Sequence, residues 1–242
     1  MSSLQDNPCN PYFNANVRNL TPASARHAAR VLYAPVSKDP VVTKYCSSVL
    51  SDNELQRAER FAHADDKTCY IQRRAFRRFC GSLALGSSPP LSQLVFAETE
   101  NGRPYLPAMA DTWFSFSSCS SGFLGAWSST HAIGVDLEER ARNLEPVKMA
   151  RQYFSPAETR LIETVTGTAR QRFFLQLWSL KEAALKSIGE GLPFGLDAFC
   201  FELAPKPRVI QVPDGYGEWQ DFHAYTMEGT DACAILVTRE LV

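Results

Sequence analysis

Apolar and polar positions follow two different periods along this chain, and the switches between them predict its elements. A short apolar run at Val31–Pro35 reads as a strand. Ser51, with Glu54 three residues on, fits a capping box opening a helix that runs to about Phe61. From about Asp65 to Leu85, Tyr70, Phe76, Phe79 and Leu83 recur at helical spacing, and Gly86 ahead of Pro89-Pro90 ends the run. Strand-like stretches follow at Leu94–Glu98, Phe114–Ser117, Gly122–Ser128 and His131–Glu138, with an Asn101-Gly102 turn among them. The order then repeats. A helix is predicted from Pro146 to about Tyr153, and Ser155-Pro156-Ala157-Glu158 opens another, with serine at the cap, proline first and glutamate third. A long helix from about Thr168 to Ile188 stops at Gly189 and Gly191, and strands at Phe199–Leu203, Arg208–Val212, Phe222–Met227 and Ala232–Thr238 finish the chain.

Two blocks of helices followed by strands predict an α+β fold of two similar halves, residues 28–135 and 136–242. No short sequence repeat accompanies them, so the duplication is one of topology. Residues 1–27, rich in Asn, Pro, Ser and Ala without periodicity, read as a poorly ordered N-terminal arm.

Charge and cysteine usage narrow the class. Twenty-five basic residues against 26 acidic ones give a net charge of −1, which disfavours a nucleic-acid binder relying on bulk positive charge. The first stretch is polar, carries Pro8 and Pro11, and lacks the apolar core of a signal peptide; no apolar run approaches the ~18 residues that span a bilayer. The seven cysteines, Cys9 among them, are scattered with no C-x-x-C pair. They read as reduced thiols of a cytoplasmic protein without membrane contact.

Four constellations carry candidate chemistry. In Ile133-Gly134-Val135-Asp136-Leu137-Glu138, strand alternation puts Asp136 and Glu138 on one face. Two such carboxylates suit a hard cation such as magnesium, or they are a solvated strand end. In Trp178-Ser179-Leu180-Lys181-Glu182-Ala183-Ala184-Leu185-Lys186, the residues Trp178, Glu182 and Lys186 step by four, off a stripe of Phe173, Leu177, Leu180, Ala184 and Ile188. An acid for metal and an amine for phosphate one turn apart suit a polyphosphate; a surface ion pair has the same spacing. The arginines Arg73, Arg74, Arg77 and Arg78, with Arg57 upstream, are a phosphate-binding face or a solvated one, and Arg103 after the Asn101-Gly102 turn is aimed by Pro104. The hydroxyls from Ser115 to Ser121 cradle phosphate or form a polar loop. A phosphate-binding P-loop, a dinucleotide fingerprint, zinc-spaced histidines and a Ser/His/acid triad are all missing from the sequence.

Gly102-Arg103-Pro104, Ser117-Ser118, Ile133 to Glu138 and Trp178 to Gly191, in that order, resemble the 4′-phosphopantetheinyl transferase superfamily of the surfactin-synthetase-activating type. The resemblance implies a pseudo-twofold pair of α+β halves, acting as a monomer, with coenzyme A bound in the cleft between them. It implies magnesium-dependent transfer of the 4′-phosphopantetheine arm to a serine of an acyl or peptidyl carrier protein, releasing adenosine 3′,5′-bisphosphate. Asp136, Glu138 and Glu182 match the metal ligands, and Lys186 matches the lysine on the coenzyme's phosphates. Glu182 or Glu158 matches the acid that deprotonates the carrier serine, while Arg103, and more weakly Arg57, fall at basic positions near the adenine end. The family has Ser-His where Ser117-Ser118 stand, so a phosphate-touching histidine is replaced by a hydroxyl. A non-catalytic relative that binds carrier or coenzyme A, and a magnesium-dependent phosphohydrolase, are the competing readings.

Overall fold

The structure, a computed structural model, describes residues 11–86, 89–141 and 144–241; Cys9 and Pro8 lie outside them. From the N-terminus come α1 (Pro11–Asn16), β1 (Arg18–Asn19), β2 (Arg30–Pro35), α2 (Pro40–Ser47), α3 (Asp52–Ala58) and α4 (Ala64–Leu85). The hairpin of β3 (Ala97–Glu98) and β4 (Pro104–Tyr105), then β5 (Trp113–Cys119) and β6 (Gly122–Ser128), complete the first set. The second set is β7 (His131–Glu138), α5 (Pro146–Tyr153), α6 (Pro156–Thr164), α7 (Gly167–Ser187), the hairpin of β8 (Cys200–Glu202) and β9 (Arg208–Gln211), and finally β10 (Phe222–Met227) and β11 (Cys233–Glu240).

The strand orders are β1-β2-β6-β5 and β10-β11-β7, antiparallel throughout. In the first sheet β2 pairs with β6 and β6 with β5, as in the second β7 pairs with β11 and β11 with β10; β1 is an added edge on β2. The α+β duplication expected from the element order is therefore present in the pairing. Every residue of β7 pairs with β11, from His131 opposite Glu240 to Glu138 opposite Cys233. By strand pairing, the second half begins at His131, ahead of the expected joint after Val135, which would cut this strand.

Alternation fixes the layers. Val31, Tyr33, Leu124 and Ala126 of the first sheet share a core with Ile133, Val135, Leu137, Ala234 and Leu236 of the second. Leu32, Ala34 and Phe123 turn the other way onto α4, and Ile235 and Val237 turn onto α7. The order is helix, sheet, sheet, helix.

Several elements depart from the expectations. Of the stretch read as an arm, residues 1–10 lie outside the described residues. The remainder supplies α1, with Phe13 fully buried against Phe76 and Phe79, and β1 on the edge of β2. α2 was not expected: Asp39 caps it by accepting from the Val41 amide, and Pro40 takes the first helical position. Leu94 closes a 3₁₀ turn on Leu91, so only Ala97–Glu98 of the expected Leu94–Glu98 strand is paired. Cys46, Cys80, Cys200 and Cys233 are buried free thiols, and Cys69 and Cys119 are partly exposed ones. Among the described residues no helix is long and apolar enough to cross a membrane.

Candidate active site

The site begins with a glycine. A Cβ on Gly134 would lie 1.8 Å from the Ala183 carbonyl oxygen and 2.7 Å from the Ser187 amide nitrogen. Only a residue without a side chain lets α7 rest its backbone on β7 at that point. This close approach carries Lys186 onto the strand, where its ammonium donates to Asp136 Oδ1 at 2.8 Å and to the Val135 carbonyl at 3.1 Å. One turn back, Glu182 Oε2 stands 3.4 Å from the same nitrogen. The other wall is β5, whose Ser115 Oγ accepts from the Val135 amide and whose Ser117 Oγ donates to Asp136 Oδ1, both at 3.0 Å. The two sheets thus meet here through serine side chains rather than a backbone ladder.

The electrostatics of this cluster are those of too many carboxylates. Asp136 is 2% exposed, and its Oδ2 is buried with no hydrogen-bond partner. Burial pushes the Glu182 carboxyl above its usual range; the Asp136 and Glu138 charges push the same way, and Lys186 only partly offsets them. Burial alone would lower Lys186, but the carboxylates of Asp136 and Glu182 outweigh it and hold the ammonium above its ordinary value. Among the described residues no three acids, histidines or cysteines stand together as a finished metal cage. The orphaned Oδ2 and the mutual repulsion of Asp136, Glu138 and Glu182 nonetheless fit a hard divalent cation with oxygen ligands.

Beside the cluster lies a hollow of ≈ 210 Å³ whose lining includes Arg77, Arg103, Phe114, Phe116 and Lys186. The Arg103 guanidinium lies 4.1 Å from the Trp113 ring centroid, and its backbone amide donates to Thr99 Oγ1. Gly102, with φ 82°, makes the turn that aims it. Three cations around one small hollow, one of them a lysine already on a carboxylate, suit a polyanion.

The remaining expected residues are more scattered. Ser118 Oγ accepts from Arg73 Nη1 at 3.3 Å, so a guanidinium stands where the histidine is missing. Both line a separate hollow with Lys38 and Cys69. Arg57 lines a third, with Arg60 and Phe61, and lies 5.9 Å from the Tyr70 ring. Glu158 is committed elsewhere: it caps α6 through Ser155, accepts from the Phe201 amide and pairs at 2.8 Å with Lys181, which is fully buried. Trp178 does not join Glu182 and Lys186 but packs on Phe154, Phe174 and Tyr153. His131 is at the far end of β7, bonded to Thr130 and edge-on to His27.

In the sequence Arg77 is only one of four arginines, not separated from Arg73, Arg74 and Arg78. Its guanidinium stacks over Phe116 at 5.1 Å and stands 3.8 Å from Glu98. Burial, with Arg74 and Arg73 nearby, pulls it down to about 10. Four arginines within six residues differ only by helix rotation: Arg78 turns inward to Glu54, and Arg77 turns to the hollow. The signal was the three- and four-residue spacing from Arg73 and Arg74, whose direction depends on which face of α4 is packed.

Residues 132–235 match the 4′-phosphopantetheinyl transferase superfamily. The chain is similar to the putative 4′-phosphopantetheinyl transferase slr0495 of Synechocystis sp., 31% identical over 160 residues, 65% of this chain and 64% of that one. The match thus spans a little under two thirds of that relative. A 4′-phosphopantetheinyl transferase of Bacillus subtilis is 29% identical over 70% of this chain and 74% of its own. Among solved structures, the holo-[acyl-carrier-protein] synthase of Thermotoga maritima is 24% identical, with a TM-score of 0.36 over 45% of this chain and 62% of that one.

Proposed function

From the match of residues 132–235 to the 4′-phosphopantetheinyl transferase superfamily we propose that the protein is a member of it and transfers 4′-phosphopantetheine from coenzyme A to a carrier-protein serine. The observation that carries the reading is the seating of Lys186 between Asp136 and Glu182 at the edge of a hollow lined by Arg77 and Arg103. The carrier serine oxygen attacks the coenzyme's β-phosphorus; a new P–O bond forms, and the bond to the leaving adenosine 3′,5′-bisphosphate breaks. The serine proton passes to Glu182. Glu182 takes this role over Glu158, whose oxygens are spent on Ser155, Phe201 and Lys181.

Lys186 holds the pyrophosphate and the charge that develops on it, while Ser117 orients Asp136. Arg103 and Arg77 bind the anion from the first half, and Arg73 beside Ser118 supplies the positive charge that histidine does not. Arg57, on its own hollow, has no contact in this scheme. Asp136, Glu138 and Glu182 would hold a magnesium ion, which when bound neutralises pyrophosphate charge. The two halves form the two walls of the site, so one chain suffices and the protein acts as a monomer; we place it in the cytoplasm, where coenzyme A and carrier domains meet. Its partner is an acyl or peptidyl carrier domain.

The test is release of adenosine 3′,5′-bisphosphate from coenzyme A and magnesium, with and without an apo carrier domain. Release that requires the carrier supports transfer. Release without it would make the protein a phosphohydrolase, and binding without release would make it a non-catalytic relative.

A further inference from the structure

Glu190, in the loop just after α7, accepts two hydrogen bonds on one carboxylate oxygen. Asn101 Nδ2 donates to its Oε1 at 3.0 Å, and Tyr216 Oη donates to the same atom at 3.0 Å. The two donors come from opposite halves. Asn101 is at the tip of the β3–β4 turn that carries Arg103, and Tyr216 is in the loop between β9 and β10. Glu190 itself follows Lys186 by one helical turn. Asn101 and Glu190 both line the ≈ 210 Å³ hollow, and a Cβ placed on neighbouring Gly189 would lie 3.8 Å from the Arg103 side chain and the Trp113 ring.

Among the described residues, the Arg103 turn is tied to the second half by the hydrogen bond from Asn101 to Glu190. Its internal bonds, Gly102 amide to the Thr99 carbonyl and Arg103 amide to Thr99 Oγ1, fix its shape but not its distance from Lys186. A carboxylate suits two converging neutral donors better than a carbonyl would, because its charge strengthens both bonds. The Tyr216 phenol is raised above its usual range by burial and by the adjoining Glu190 carboxylate.

We propose that Glu190 is a positioning residue: it clasps the Arg103 turn to the end of α7 across the cleft mouth, setting the gap between Arg103 and Lys186 to the span of a bound polyphosphate. The clasp rests on the reading of this hollow as the coenzyme site. Glu190 touches no reacting atom; it acts through the two cations it spaces. Without it, the turn carrying Arg103 loses its tie and the ligand must order it on binding.

The experiment measures coenzyme A dissociation constants by calorimetry on the full chain, with no carrier present, and steady-state kinetics in parallel. Glu190→Ala and Asn101→Ala should each raise the dissociation constant roughly three- to tenfold, the effect of one or two lost hydrogen bonds. The double variant should be no worse than the poorer single one, since both remove the same bridge. Glu190→Gln, which keeps an acceptor oxygen, should recover most of the affinity, and the loss should appear in KM more than in kcat. Unchanged affinity in Glu190→Ala, tighter binding, or multiplied losses in the double variant would overturn the clasp. A wild-type chain that binds coenzyme A but modifies no carrier would instead sink the transfer reading and leave the affinity ratios to judge the clasp.

Discussion

The two long helices hold equivalent places in the two halves, yet they approach their sheets differently. α7 lies backbone on backbone against β7 at Gly134, with a prospective Cβ 1.8 Å from a carbonyl oxygen. α4 meets β6 at Gly125, but there the nearest atoms are side chains, Cys80 Sγ at 2.8 Å and the Phe116 ring at 3.0 Å. The closer helix delivers short-range chemistry: a lysine set directly on a strand aspartate, with a glutamate one turn back on the same ammonium. The more distant one presents long arginines, three of whose guanidiniums, those of Arg73, Arg74 and Arg77, lie over Tyr70 or Phe116. One topology therefore yields a carboxylate–lysine centre on one side and an anion-binding wall on the other, and helix-to-sheet distance decides which.

The strongest way to break this contrast is to add one methyl group to each contact. Gly134→Ala puts carbon into backbone that no rotamer change can relieve, and it is expected to leave no cooperative thermal unfolding transition. Gly125→Ala asks only side chains to shift and should cost about 1–3 kcal/mol in a urea melt. Similar, small losses from both would erase the difference between the helices.

Next in size is Glu158→Gln. Lys181 is fully buried and takes Glu158 as its ion-pair partner, so neutralising the acid leaves a buried charge uncompensated, at about 3–5 kcal/mol. The loss should appear in thermal stability. A variant as stable as the wild type but without turnover would make Glu158, and not Glu182, the base.

These residues also show where the sequence was legible. The outlines of α4 to α7 and of β5 to β7 follow from period and caps, because propensity, capping boxes and alternation agree there. Strand period puts Asp136 with Glu138, and helix period puts Glu182 with Lys186, but only the family resemblance joins the two pairs into one site. Gly134 looked like one more residue of a motif, since close backbone approach leaves no trace in hydrophobic pattern. Phe13 anchors an otherwise polar stretch with one side chain, too little to create a period, and Asp39-Pro40 signalled α2 by its cap alone. Glu158 is a helix cap by spacing and a candidate acid only through the family resemblance, and its bonds to Ser155, Phe201 and Lys181 decide between the two.

The smallest effect lies on α4. Glu54 caps α3 and grips Arg78 with both oxygens. Burial would raise its carboxyl, but the Arg78 hydrogen bonds and charge and the Ser51 amide outweigh that and hold it below its usual range. A depressed carboxylate contributes stability that is present above the unfolded value near ~4.3 and lost as pH falls through the lower folded one. Glu54→Gln should therefore destabilise by roughly 1 kcal/mol at neutral pH, with the gap to wild type closing as pH falls below about 4. A gap that stays constant with pH would leave the ion pair without effect.

The centre itself is tested most directly by intact-mass measurement of a panel of apo carrier domains incubated with coenzyme A, magnesium and the full chain. The wild type is expected to add one phosphopantetheinyl group to at least one carrier. Asp136→Asn, folded by its thermal transition, is expected to add none, because Lys186 and the cation lose the charge they share. No mass gain on any carrier with the wild type, or equal gain with Asp136→Asn, would contradict the assignment of Asp136, Glu182 and Lys186 as the transfer site.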